Sequence, residues 1–175
     1  VLLFNEKSQC SFGKKYFSRS IPYYYIKDGP RNFETNYSNS ITEKIVELSH
    51  DAYKRDYGIL VHRRLSVDLV KNCVMGQDMV RPNGEPSEKL EDTVVSLYFH
   101  VHPSIVCKKQ RGGVLIEIPG DKKMFFTYEG GNLTIEKSTY IGDFFEPQEI
   151  TKLVIRNKVE RSESKINWKI EEIMD

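Results

Sequence analysis

Residues 112–141 run GGVLIEIPGDKKMFFTYEGGNLTIEKSTYI. Three apolar segments, Val114–Ile118, Lys123–Tyr128 and Leu133–Ile141, are cut apart by the turn formers Gly112-Gly113, Pro119-Gly120-Asp121 and Gly130-Gly131-Asn132. Short runs of β-branched and aromatic residues between Gly/Pro/Asn punctuation are the mark of consecutive antiparallel strands.

The same rhythm extends in both directions. Thr93–His102 reads as a strand stopped by Pro103, and Ile105–Lys108 follows it. Gly58–Val67 places Ile59, Val61, Arg63, Leu65 and Val67 on one strand face, and Leu69–Met75 returns as a close hairpin. Ile41–Ser49 alternates in part. Thr151–Asn157 and Ile166–Ile173 close the chain, and Val80–Asp92 and 143–148 read as loops. Alanine, the best helix former, occurs once, at Ala52, so the composition is biased against helix; Glu43–Tyr53 is the only ambiguous stretch. Strands at this spacing predict an all-β protein, an antiparallel two-layer β-sandwich. Val1–Phe4 looks like the tail of a strand. Residues 5–40, rich in Ser, Asn, Gly and Lys with turn signals at Lys27–Pro30 and Asn36–Ser40, read as irregular. The expected organisation is a loop-rich lead-in over 1–40 and a sandwich over 41–175 of one domain.

The chain has 175 residues, 26 Lys and Arg against 25 Asp and Glu, and 39% hydrophobic residues. That is a globular composition without the one-signed charge excess of a nucleic-acid binder. No apolar run reaches the roughly 18–20 residues of a membrane-spanning helix. The sequence starts at Val1 in an apolar segment and carries no signal-peptide pattern; it reads as the C-terminal piece of a longer protein. Cys10, Cys73 and Cys107 are widely separated, so neither a zinc ribbon nor a redox dithiol is indicated.

Several residue groups can carry chemistry. His100 and His102 lie two apart on the Thr93–His102 strand, on the face shared with Tyr98, while Leu97, Phe99 and Val101 form the core face. Two imidazoles so placed can reach one metal ion or one anion. His50 sits beside Asp51, which can fix its tautomer. His62 and Arg64 share one face of their strand and Arg63 the other. Either arginine can recognise a carboxylate, and an inward Arg63 paired with an acid such as Asp78 is an equally ordinary arrangement. Tyr23, Tyr24 and Tyr25 form an unusual triplet in the irregular region.

Read in order, Ser49-His50-Asp51-Ala52-Tyr53, Tyr57–Leu65, Gly76-Gln77-Asp78, Phe99-His100-Val101-His102-Pro103, Gly112–Leu115, Glu136–Tyr140 and Asn167-Trp168-Lys169-Ile170 resemble the C-terminal β domain of the heparinase II/III-like family of bacterial polysaccharide-lyase-like proteins. The resemblance covers about residue 41 to the end. The family's His-Asp-Gly-Tyr stands here as His50-Asp51-Ala52-Tyr53.

The resemblance implies a larger parent in which an N-terminal α/α toroid packs on this sandwich, with the 1–40 segment facing it. The parent would cleave uronic-acid-containing polysaccharides, glycosaminoglycans among them, by β-elimination, with most catalytic groups lying upstream of Val1. It implies that one of Tyr23, Tyr24 and Tyr25 faces the substrate cleft. It also implies one structural zinc in the parent, for which His50 matches a ligand. Periplasm and cytoplasm are both open as compartments. Two alternatives stand beside the lyase. One is a non-catalytic module holding an anionic glycan with Arg63, Arg64, tyrosines and lysines. The other is a metal-dependent β enzyme using His100, His102 and either His50 or His62.

Overall fold

The computed structural model describes residues 2–84, 90, 92–142, 146–160 and 162–173. Among these described residues are fourteen strands and one short helix. The strands are β1 (Leu2–Phe4), β2 (Ser11–Ser18), β3 (Ile21–Asp28), β4 (Phe33–Asn39), β5 (Glu43–His50), β6 (Ile59–Asp68) and β7 (Cys73–Pro82), then β8 (Val94–His100), β9 (Val106–Gln110), β10 (Gly113–Ile118), β11 (Lys122–Glu129), β12 (Asn132–Ile141), β13 (Pro147–Lys158) and β14 (Ser164–Glu172). The helix α1 (Lys54–Tyr57) lies between β5 and β6.

Eight strands form one sheet in the order β4-β5-β6-β7-β14-β11-β10-β9, and four form a second in the order β1-β8-β13-β12. Neighbours pair antiparallel throughout. The two sheets make the two-layer sandwich that the alternating pattern predicts. Ile59, Val61, Val80, Val114, Phe126 and Ile166 of the larger sheet and Val95, Leu97, Leu153 and Ile155 of the smaller one are all buried in a single core. Their alternation with polar neighbours follows the two-residue period of a strand. Phe99 joins the layers: its ring lies 5.0 Å from that of Phe126 and 4.9 Å from that of Trp168, both edge-on. Phe4, Tyr53 and Tyr57 close one end, with Phe4 and Tyr53 centroids 4.4 Å apart.

The region before residue 41 departs from the irregular reading. β2 and β3 form a separate two-stranded sheet, and β4 is the edge strand of the large sheet. The stretch Asn36–Ser40, read as a turn, is mostly strand. The sandwich therefore begins before residue 41, and β1 already pairs with β8 in the small sheet. The other departures are local. The strand expected over Leu69–Met75 starts at Cys73, because residues 69–72 form the turn. Asp68 braces that turn by accepting from the Val70 and Lys71 N–H groups at 3.0 and 2.9 Å. β7 runs on to Pro82, into the expected loop over 80–92, and β13 begins at Pro147, inside the expected loop over 143–148. Residues 85–89, 91 and 143–145 of those two loops lie outside the described residues. α1 is a single turn ended by Gly58 in the left-handed region at φ 68°, its N–H bonded to the Lys54 carbonyl. β8 ends at His100, so His102 lies beyond the strand on which it was placed.

Candidate functional site

Two features of the large-sheet side bring polar and aromatic groups together. The first is the β2–β3 hairpin. Phe12, Lys14 and Tyr16 stand opposite Ile26, Tyr24 and Pro22, so all six project from one face. Gly13 and Lys15 stand opposite Tyr25 and Tyr23 on the other face. The Tyr23–Tyr25 triplet is thus split: Tyr23 and Tyr25 are together, centroids 6.4 Å apart, and Tyr24 points the opposite way. Lys14 lies over the rings of Tyr16 and Tyr24, and Lys15 over that of Tyr25.

The second feature is a pair of adjoining cavities at the root of this hairpin, both lined by Gln9. One, of about 500 Å³, is lined by Phe33, Leu48, His50, Val61, Arg63 and Asp78 among others. The strand register explains the grouping: His50 opposes Val61, Leu48 opposes Arg63, and Arg63 opposes Asp78, all on the core-facing side of the sheet. The other, of about 540 Å³, lies between the hairpin root and α1, where Lys7, Ser11, Asp28, Arg31, Asp51 and Arg55 meet. Arg55 ties α1 to the hairpin through Asp28 at 2.6 Å.

His50 accepts the Ala52 N–H on Nδ1 at 3.3 Å, so its neutral ring carries hydrogen on Nε2. Burial lowers its pKa, Arg63 works in the same direction, and Asp51 opposes them. The imidazole is therefore neutral at physiological pH and offers one N–H donor. Asp51 turns toward the preceding corner and accepts from the Arg31 and Asn32 N–H groups and from Asn32 Nδ2, at 2.8, 3.0 and 2.7 Å. These bonds, the Asn32 N–H first, hold its pKa down to about 2. Tyr53, the last residue of the His50–Tyr53 motif, is structural. Its hydroxyl donates to the Lys7 carbonyl at 3.0 Å, and burial raises its pKa.

The remaining candidates are dispersed. The Arg63 guanidinium is bound to the buried Asp78, Nε and Nη2 each lying 2.6 Å from Oδ1. Arg64 projects from the opposite, outer face of the sheet and pairs with Glu47 at 2.9 Å. Exposed His100 is on the small sheet, and His102 hydrogen-bonds Ser104 at 2.8 Å beside the ring of Tyr140. Among the described residues no three His, Cys, Asp or Glu side chains come together as a metal-holding group. Around His50 the nearby carboxylates are already engaged, Asp51 by Asn32 and Arg31, and Asp78 by Arg63 and Trp168. Among the described residues His50 thus belongs to no group of three metal-ligating side chains, and the histidines of the metal-enzyme alternative do not converge.

Lys14, Lys15 and Gln9 are the residues that the sequence reading missed. The available signal was the alternation Phe12, Lys14, Tyr16 against Tyr24 and Ile26, two apolar-aromatic runs with a two-residue break at Arg19-Ser20.

The family model described as heparinase II/III-like, C-terminal, matches residues 1–169. No curated protein sequence matches the chain. Among solved structures, a heparinase III gene product superposes with a TM-score of 0.64 at 10% identity, covering 81% of this chain and 21% of that one. The heparan sulfate lyase HepC from Pedobacter heparinus gives a TM-score of 0.64 at 7% identity, covering 82% of this chain and 22% of that one. A structure of the heparinase III gene product with methylated lysines gives 0.60 at 13% identity, covering 82% and 21%. The chain thus spans about a fifth of the length of these proteins.

Proposed function

The chain belongs to the heparinase II/III-like family as its C-terminal domain, and from that premise we propose that it is the β-sandwich portion of a lyase that cleaves uronic-acid-containing polysaccharides by β-elimination. The catalytic unit is completed by an N-terminal α/α toroid of the same parent. The observation that carries this reading is the family match over residues 1–169, joined to a fold that holds a tyrosine-bearing hairpin clear of the sandwich core.

In such a reaction a base removes the proton at C5 of the uronate. The electron pair forms the C4–C5 double bond, and the C4–oxygen bond to the leaving sugar breaks. An acid protonates the departing oxygen. Charge builds on the uronate carboxylate and needs a cation or hydrogen-bond donors. Tyr23, Tyr24 and Tyr25 are the proton-transfer candidates of this chain, because their phenols stand in solvent on the hairpin. Arg63 is a weak choice for the carboxylate, since substrate would have to displace the buried Asp78. Arg64 is paired with the partly exposed Glu47 but lies on the outer face. His50 can donate from Nε2 within its cavity.

The test is turnover of uronate polymers by the full-length parent, followed at the ultraviolet absorbance of the unsaturated product. The present chain alone should give none. A non-catalytic anionic-glycan module is favoured instead by the lysines of the hairpin, and glycan binding by the parent without product formation would establish it.

A further inference from the structure

We propose that the hairpin face made of Phe12, Lys14, Tyr16, Tyr24 and Ile26 is a binding platform for an acidic sugar chain, with the Lys14 ammonium as the group that reads the carboxylate or sulfate. The inference rests on the glycan reading above and assigns a site within it.

Four observations carry it. An isolated two-stranded hairpin is marginal in water, and this one has no sheet neighbour on either edge. Its apolar residues nevertheless point outward: Phe12, Tyr16, Tyr24 and Ile26 are each more than half exposed, Tyr24 by 67%. A contiguous exposed aromatic patch of this kind marks a binding surface. Lys14 lies between two rings, 5.2 Å from the Tyr16 centroid and 5.8 Å from that of Tyr24. Among the described residues it pairs with no carboxylate, so its ammonium, held near the two rings, is open to an anionic ligand. Finally, residues 11–28 carry Lys14, Lys15, Arg19 and Lys27 against the single carboxylate of Asp28, which Arg55 occupies. The hairpin is cationic and selects an anionic occupant.

The two faces differ in a way that singles out this one. On the opposite face Tyr25 folds over Gly13, where a Cβ would meet its ring at 2.5 Å, and Tyr25 is only 37% exposed. That face is the more covered of the two. The Lys14 face presents exposed rings to the C–H surfaces of pyranoses, with a cation beside them.

The experiment measures the affinity of this chain for polygalacturonate, an unsulfated polyuronate, for heparan sulfate, and for neutral dextran. Wild type is compared with K14Q, Y24A and the control K122Q, which removes the same charge from the exposed first residue of β11, far along the sequence. Thermal melting confirms that each variant is folded. The proposal expects binding to one or both acidic polymers and not to dextran. Binding to heparan sulfate alone identifies sulfate as the anion read, and binding to polygalacturonate shows that carboxylate suffices. It expects about fivefold weaker binding for K14Q and for Y24A, with less than about twofold change for K122Q. Only the K14Q loss should shrink as salt is raised. Binding by K14Q equal to wild type, or no binding of either acidic polymer by wild type, overturns it. The two readings fail separately. Turnover by the parent with K14Q-insensitive binding rejects the platform and keeps the lyase. K14Q-sensitive binding without unsaturated product from any polymer rejects the lyase and keeps the platform.

Discussion

Asp78 Oδ1 receives the Arg63 guanidinium at 2.6 Å while Oδ2 accepts the Trp168 indole N–H at 3.0 Å. The carboxylate, with its side chain 1% exposed, thereby links three neighbouring strands, β6, β7 and β14, on the core-facing side of the large sheet. Both oxygens are satisfied, which is the condition for a buried acid to be tolerated. The arrangement also sets one wall of the cavity that contains His50.

Removing that acid should be costly. Asp78→Ala strands the mostly buried guanidinium and leaves the indole N–H without its acceptor, with an expected loss of about 3 kcal/mol. The double change Arg63→Met with Asp78→Leu should recover more than half of it. Urea denaturation of the three proteins checks this. A loss under about 0.5 kcal/mol for Asp78→Ala would mean the pair is only ornamental to the sheet.

Gly76 provides the space for the same indole. A Cβ there would lie 2.0 Å from Trp168 Cε2, so Gly76→Ala must push the ring off Asp78 and out of its edge-on contact with Phe99. We expect about 2 kcal/mol of destabilisation and a changed near-ultraviolet dichroism from the single tryptophan. An unchanged tryptophan signal would contradict the packing described.

The Arg63–Asp78 pair was readable from sequence because strand alternation places Arg63 with Ile59, Val61 and Leu65, and an inward arginine needs an acid. Whereas β7 shares only residues 73–75 with the strand expected over Leu69–Met75, most strands from β5 onward were readable from the same alternation, helped by turns such as Gly112-Gly113, Pro119-Gly120 and Gly130-Gly131. The hairpin was not. Its strands interleave Lys and Ser with Tyr and Phe, since neither face is buried, and without a core face the polar-apolar contrast that identifies a strand is lost. His102 was misplaced because Pro103 ended the ladder two residues earlier than the apolar pattern did. The scatter of His50 and His62 on opposite faces of the large sheet, His100 on the small one and His102 beyond its strand is a consequence of topology, and residue spacing carries no information about which strands become neighbours.

His50 predicts a pH dependence. Its folded pKa is below the ordinary 6.5, chiefly through burial. As pH falls below about 6.5, the unfolded chain binds a proton that folded His50 refuses, so the unfolded state gains. Stability is fully present above that pH, falls with acidification, and levels off beneath the folded pKa. His100 is shifted in the same direction, again mainly by burial, so the comparison is between wild type and His50→Gln. The variant should show a shallower decline between pH 6.5 and 5. Asp51, held down to about 2, acts only below about pH 4 and does not overlap. Parallel curves for the two proteins would refute the assignment.

The central claim is that this sandwich belongs to a polysaccharide lyase, and the most direct test is the absorbance of unsaturated product formed by the full-length parent on polygalacturonate, alginate and heparan sulfate. The account predicts steady accumulation on at least one polymer, none with residues 1–175 alone, and a drop of about 100-fold or more for substitution by Phe of whichever of Tyr23, Tyr24 or Tyr25 transfers the proton. No product from any of the polymers would contradict it.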